Sequence, residues 1–170
     1  QHELNEENWS ARFYLPDNPH EIGLLQVVAL WRQRVLTTFV IKGKAGALVV
    51  VSGPSITPNK QFNGLSRPQV LKTLAKKGQA LLPRLVDKAV DSTISSSHHQ
   101  ALRALLARVH AMNAWNKAEL ERHLASLPIF EWFDGRRASA AEIFAARSAK
   151  HPVARVDRSL SSGECDHPYY

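Results

Sequence analysis

The chain has 170 residues, 44% of them hydrophobic, a formal charge of +7 and a single cysteine, Cys165. That is enough apolar content for one domain, or a domain with an appended subdomain, to bury about two-thirds of the surface its unfolded chain exposes, and it excludes disorder by composition. One cysteine excludes an internal disulfide scaffold and points to a reducing compartment; no stretch reaches the roughly 18–20 apolar residues of a membrane span, because Arg32, Arg34, Lys42 and Lys44 break the most apolar one, residues 22–51.

The N-terminal half reads as strands. Residues 10–15 alternate, with Ala11, Phe13 and Leu15 on one side, and Pro16-Asp17-Asn18-Pro19 is a turn cluster. Three β-branched, apolar runs follow at residues 24–32, 35–42 and 47–52. Glycines favour a hairpin at Gly43-Lys44-Ala45-Gly46. The joint at Gln33-Arg34 is weaker, and residues 22–40 have one long helix as their alternative. The expectation is a four-stranded antiparallel meander. Residues 53–64, rich in Gly, Pro and Asn, read as a long loop carrying Lys60 and Phe62.

The second half reads as helices. Ser66 and Gln69 form a capping-box pattern ahead of a helix that Gly78 interrupts. Val70, Leu71, Leu74 and Ala75 fall on one side of it and Lys72 and Lys76 on the other. A second helix is expected over residues 79–90, with Pro83 in its first turn. Residues 91–97 read as a Ser-rich linker and residues 99–113 as a helix with Leu102, Leu105, Leu106, Val109 and Met112 in register. Asn116 with Glu119, and Ser139 with Glu142, give two further capping boxes, and Trp115 forms a hydrophobic staple with Leu120. Residues 153–156 read as a short strand or extended arm and residues 159–170 as a polar tail. The division expected is a basic domain over residues 1–90, a helical extension over 91–158, and the tail.

Charge is distributed unevenly. Residues 1–21 carry Glu3, Glu6, Glu7, Asp17 and Glu21 against Arg12. Residues 22–86 contain no acid and ten bases: Arg32, Arg34, Lys42, Lys44, Lys60, Arg67, Lys72, Lys76, Lys77 and Arg84. The remainder is nearly balanced. At ordinary acid frequency, 65 residues would hold roughly seven carboxylates. A run without any reads as a surface kept free of repulsion towards phosphates.

Motifs for catalysis are thin. Eight His include His98, His99 and His110, but no pair has zinc-site spacing, so no metal and no cofactor is expected. There is no nucleophile elbow. Ser52-Gly53-Pro54-Ser55 follows a strand but lacks the Gly-Lys-Ser/Thr end of a P-loop. Phe133-Asp134-Gly135-Arg136-Arg137, before the Ser139 cap, resembles the Gly-x-x-Arg phosphate loop of the ParB/sulfiredoxin superfamily. The glycine here is one residue closer to the arginines, and helices stand where that family has strands. The resemblance spans about 25 residues and transfers no residue role. Two arginines at a helix N-terminus are in any case a phosphate-binding pattern, with pairing to Glu131, Asp134 or Glu142 as their structural alternative.

The fold expected is α+β: an N-terminal four-stranded antiparallel β-meander, basic amphipathic helices packed on it, and a C-terminal helical extension. The function expected is a non-catalytic, RNA-binding structural subunit of a ribonucleoprotein, an organellar (mitochondrial) ribosomal protein being the most concrete case. Arg32, Arg34, Lys42, Lys44, Lys60, Arg67, Lys72, Lys76, Lys77, Arg136 and Arg137 would meet the RNA phosphate backbone. Neighbouring proteins would meet the C-terminal helices and tail. A first residue of Gln fits a removed leader, and the expected location is the mitochondrial matrix or a bacterial cytoplasm. The alternatives are a protein–protein adaptor or mobile-element regulator, and a nuclease built on Arg136 and Arg137.

Overall fold

The computed structural model describes residues 1–91, 96–111, 117–132 and 134–149. In chain order the elements are β1 (His2–Glu6), β2 (Trp9–Tyr14), β3 (Leu24–Trp31), β4 (Arg34–Ala45), β5 (Leu48–Ser52), α1 (Gln69–Asp91), α2 (Ser96–Ala111), α3 (Lys117–Ser126), β6 (Phe130–Glu131), β7 (Arg137–Ala138) and α4 (Ala140–Ser148). The expected strand or extended arm at residues 153–156, the tail, Met112, Trp115 and the Asn116 cap lie outside the described residues.

The fold is α+β, as the periodicities imply, but the sheet is not a meander. It has five strands in the order β1-β2-β5-β3-β4. The strand β1 is absent from the sequence reading because His2–Glu6 is polar and alternates weakly. The strand β5 does not return along β4. It crosses the start of β3 and pairs parallel to β3, with Val27 opposite Val49 and Ala29 opposite Val51, and antiparallel to β2. Gly43-Lys44-Ala45-Gly46 therefore makes no hairpin: β4 runs on through Ala45, which pairs with Leu24. The tight turn is at the weaker joint instead. Arg32 and Gln33 connect β3 to β4 with φ of 48° and 65°, the left-handed pair that matches the twist of a two-residue hairpin.

One face of the sheet holds the core. Ala11, Phe13, Val27, Ala29, Val49 and Val51 pack with Leu71, Leu74, Ala75 and Leu85 of α1, as period-2 strands under a period-3.6 helix require. On the other face Val28, Leu48 and Val50 stay half-buried and belong to neither core cluster. The helix α1 is continuous from Gln69 to Asp91 with Pro83 inside it, where the sequence suggested two helices broken at Gly78. A helical Gly and an internal Pro cost about 1 and 3 kcal/mol. Burying Leu74, Leu82, Leu85 and Val86 returns roughly 1.5–3 kcal/mol each, so packing outweighs propensity. Gly78 has a different role, since a Cβ there would lie 2.9 Å from Val49 Cγ2. Its carbonyl accepts the Ala47 N–H at 3.0 Å, so the helix approaches the sheet at its glycine. Ser66 is not the cap: its hydroxyl lies 2.7 Å from Thr57 Oγ1 and the helix starts at Gln69.

A second cluster joins Leu82 and Val86 of α1 to Leu102, Leu105, Leu120, Leu124, Ile129 and Ile22. Arg108 of α2 holds the loop between β2 and β3 in place by donating to the carbonyls of Ile22 and His20 at 2.6 and 3.0 Å. His110 Nδ1 lies 2.6 Å from Glu121 Oε1 and His123 Nε2 lies 2.7 Å from Asp87 Oδ1, so α3 is linked to both α2 and α1. No helix among the described residues is long and apolar enough to cross a membrane.

The loop after β5 starts from a fixed point. Gly53 has φ of 146°, and a Cβ there would sit 2.5 Å from Trp9 Cα and 2.7 Å from the Asn8 carbonyl. Both obstacles are backbone and cannot rotate away. Gly53→Ala is expected to cost roughly 1–3 kcal/mol, seen as a lower urea midpoint with an unchanged denaturant slope.

Candidate nucleic-acid interface

Because β3 and β5 are parallel neighbours, their C-terminal ends lie at the same end of the sheet. The hairpin tip Arg32-Gln33 leaves from one and the loop of residues 53–68 from the other. The two meet: the rings of Trp31 and Phe62 lie 5.9 Å apart, edge to face. The Arg32 guanidinium is 4.5 Å from the centroid of the Trp31 ring, within cation–π range. Arg34 opens β4 opposite Trp31. Lys60 sits two residues before Phe62, and Arg67 lies between the loop and α1, lining an open polar cleft with Asn8, Pro54, Ser55, Thr57 and Ser66.

The loop tip is braced. The Asn59 side chain donates to the Asn63 amide oxygen at 2.8 Å and accepts the Asn63 N–H at 3.2 Å. The Asn59 N–H donates to the Gly64 carbonyl at 2.8 Å, and Phe62 N–H to the Asn59 carbonyl at 3.1 Å. Pro58 bridges Leu65 below. Lys60 and Phe62 are thus held at the apex of a closed turn. Phe62 has φ of 57° and is 64% exposed.

The acid-free stretch does not present one face. Arg32, Arg34, Lys60 and Arg67 gather at the loop end of the sheet, all exposed. Lys72 and Lys76 are exposed one turn apart on the outer side of α1, continuing from it. Lys42 and Lys44 are also exposed but stand eight and ten residues along β4 from Arg34. At about 3.3 Å per residue that is roughly 26–33 Å, well beyond the ~8 Å over which exposed charges interact at physiological salt. Of the ten bases only Lys77 makes an ion pair with a described residue: its Nζ lies 3.6 Å from Glu6 Oε1 and 5.7 Å from the Trp9 ring. The unforeseen strand β1 supplies that partner.

The arginine pair of the C-terminal half divides. Arg136 Nε is 2.6 Å from Asp134 Oδ2 and its N–H donates to Oδ1 at 3.0 Å, so the local alternative holds for Arg136. These hydrogen bonds, the backbone one foremost, hold the Asp134 carboxyl below the usual range. Arg137 is exposed on β7, across from Glu131 on β6. The partial burial of His99, and then the charges of Arg137 and Arg103, hold its imidazole below its ordinary value. The Ser139 capping box is formed: Glu142 N–H donates to Ser139 Oγ at 3.2 Å, and Ser139 N–H donates to Glu142 Oε2 at 2.7 Å. The Ser139 N–H, and then its hydroxyl, which donates to Oε2 at 3.0 Å, pull the Glu142 carboxyl down. The described residues hold no group of three or more His, Cys, Asp or Glu able to bind a metal ion.

No family model, curated protein or solved structure matches the chain.

Two tests follow from this geometry. A non-glycine residue in the left-handed region pays roughly 1–2 kcal/mol, partly offset for glycine by its greater chain entropy. Gln33→Gly is expected to raise stability by about 0.5–1 kcal/mol, measured by urea unfolding. Asp134 and Glu142 have carboxyls depressed in the folded state. Their contribution is present above the unfolded carboxylate range and is lost as pH falls through the folded values. Ser139→Ala is expected to lower stability at neutral pH and to flatten its decline between about pH 5 and 3, followed by thermal unfolding across that range.

Proposed function

We propose that the chain is a non-catalytic, RNA-binding subunit of a ribonucleoprotein, an organellar ribosome being the most concrete such particle. The observation that carries this reading is the loop end of the sheet. There Arg32 lies over Trp31, which meets Phe62, and Arg34 is the strand partner of Trp31. Lys60 stands two residues before Phe62 and Arg67 follows in the same loop, none of the four ion-paired with a described residue, and Lys72 and Lys76 stand in the first turns of α1 beyond. Exposed cations that make no ion pair with a described residue release counterions when they meet phosphates, and aromatic rings among them suit bases. Lys77, held by Glu6, and Arg136, held by Asp134, drop out of the contact set. Lys42 and Lys44 act separately at the far end of β4.

The non-catalytic part of the proposal rests on what the acids do. Asp134 and Glu142 fix a turn and a helix cap, and Glu121 and Asp87 lie against histidines between helices. Neighbouring proteins of the assembly are proposed to meet the C-terminal helices, where Phe144 of α4 is 64% exposed.

Titrating a single-stranded RNA against salt tests the reading. With about five phosphates engaged, log–log slopes near −3 to −4 are expected. Lys72→Glu with Lys76→Glu should lower the slope by one to two units and weaken binding. Lys42→Glu with Lys44→Glu should leave the slope unchanged. Salt-independent binding, or none, overturns the proposal.

A further inference from the structure

We infer that Phe62 is a stacking platform for one unpaired nucleobase, which makes single-stranded RNA rather than duplex the ligand of this end of the sheet. The inference rests on the RNA-binding reading above and specifies its ligand.

The backbone is the first observation. Among the described residues only three other than glycine have positive φ, namely Arg32, Gln33 and Phe62, and all three lie where the hairpin tip meets the loop tip. The two-residue hairpin accounts for it at Arg32 and Gln33; at Phe62 such strain persists only because the surrounding structure imposes it, and strain of that kind concentrates at binding sites. A plain connector has a cheaper solution, because Asn and Gly tolerate the left-handed region. Asn59, Asn63 and Gly64 stand within three residues of Phe62, yet the left-handed position holds a phenylalanine.

Exposure is the second observation. Phe62 recovers little of that cost by burial, being 64% exposed and outside both core clusters. Its ring is held in place all the same. Trp31 meets it edge to face at 5.9 Å, Arg32 covers Trp31 at 4.5 Å, and the Asn59–Asn63 amide pair closes the turn beneath. An aromatic face that is fixed and open to solvent is the arrangement on which an unstacked base lies. Within a duplex both faces of a base are already covered by its neighbours, so the platform offers nothing to double-stranded RNA.

Candidate phosphate partners stand on the hairpin and in the loop itself. Arg32 and Arg34 lie on the hairpin, and Lys60 is two residues from Phe62. At the foot of the loop Arg67 lines an open cleft of about 580 Å³ with Ser55, Thr57 and Ser66. That volume suits a nucleotide-sized group. The Thr57 and Ser66 hydroxyls share one hydrogen bond at 2.7 Å, which leaves the other's hydrogen for a phosphate oxygen.

The test compares an octa-adenylate strand and an eight-base-pair RNA duplex at one salt concentration by fluorescence anisotropy. Phe62→Asn is the main variant, because asparagine accepts the left-handed backbone and should unfold at the same temperature as the parent or higher. It is expected to lose about tenfold in affinity for the single strand and less than twofold for the duplex. Phe62→Tyr, which keeps the ring, should restore single-strand binding. A 2-aminopurine placed in the octamer should be quenched by the parent and by Phe62→Tyr, but not by Phe62→Asn. If the parent binds both RNAs with steep salt dependence and Phe62→Asn changes neither, the stacking inference fails while the RNA reading stands. If the two RNAs lose affinity equally, stacking fails likewise. If the parent binds neither, both readings fall.

Discussion

Between the end of β4 and the start of β5 the chain has only Gly46 and Ala47 in which to pass across the first residues of β3. The passage is close. A Cβ on Gly46 would run into the Leu25 side chain, the Gly46 N–H donates to the Gly23 carbonyl at 3.0 Å, and the Ala47 N–H donates to Gly78 inside α1 at the same distance. This crossing inserts β5 between β2 and β3 and makes it parallel to β3. A meander would have put the end of β5 beside the start of β4, with the β3–β4 hairpin at the same end but with β4 intervening. Parallel pairing with β3 instead brings the loop of residues 53–68 directly against the hairpin tip. The meeting of Trp31 and Phe62 is a consequence of that two-residue step.

Helix α1 completes the arrangement. Its glycine lies against Val49, which lets the helix axis approach the sheet midway along its length. It serves two cores: Leu71, Leu74, Ala75 and Leu85 face the sheet, while Leu82 and Val86 face α2 and α3. A helix fixed by two cores has its outer side fixed too, so Lys72 and Lys76 keep a constant direction relative to the loop. The spacing that buries one stripe is the same spacing that exposes the other.

What the residues disclosed and what they concealed separate along a physical line. Local pattern identified β2, β3 and β5, whose buried positions alternate as β-branched and apolar residues, and it identified the Ser139–Glu142 cap, which is a contact between residues three apart. Pairing between strands is non-local: Val49 fits beside β2, β3 or β4 equally well by composition, and only the crossing at Gly46 selects. Gly78 and Pro83 look like breakers because propensity is read residue by residue, whereas the burial that overrides it belongs to the whole helix. The acid-free stretch was visible as a count, but charge geometry was not. Lys77 was captured by a glutamate from a strand too polar to recognise, Arg136 by an aspartate two residues away, and Lys42 and Lys44 were carried off by the length of β4. Trp31 and Phe62 stood out singly, each beside a base, and nothing in their thirty-residue separation indicated that they touch.

The cost structure of the loop end bears on how it works. Left-handed backbone at Arg32, Gln33 and Phe62 takes roughly 1 kcal/mol or more from stability at each position, and a ring left mostly exposed returns little of it. The amide brace of Asn59 and Asn63 and the edge contact with Trp31 hold that geometry before any ligand arrives. Ordering a flexible loop at the moment of binding would cost about 0.5–1.5 kcal/mol per immobilised side chain. Here that cost is met during folding, out of the margin supplied by the two cores. The cations around it need no such fixing, since a phosphate backbone is recognised by charge density and tolerates mobile lysines and arginines. On the proposed reading, a rigid aromatic centre with exposed cations around it would separate the two tasks: the charges would draw a strand in, and the fixed ring would decide which part of it stays.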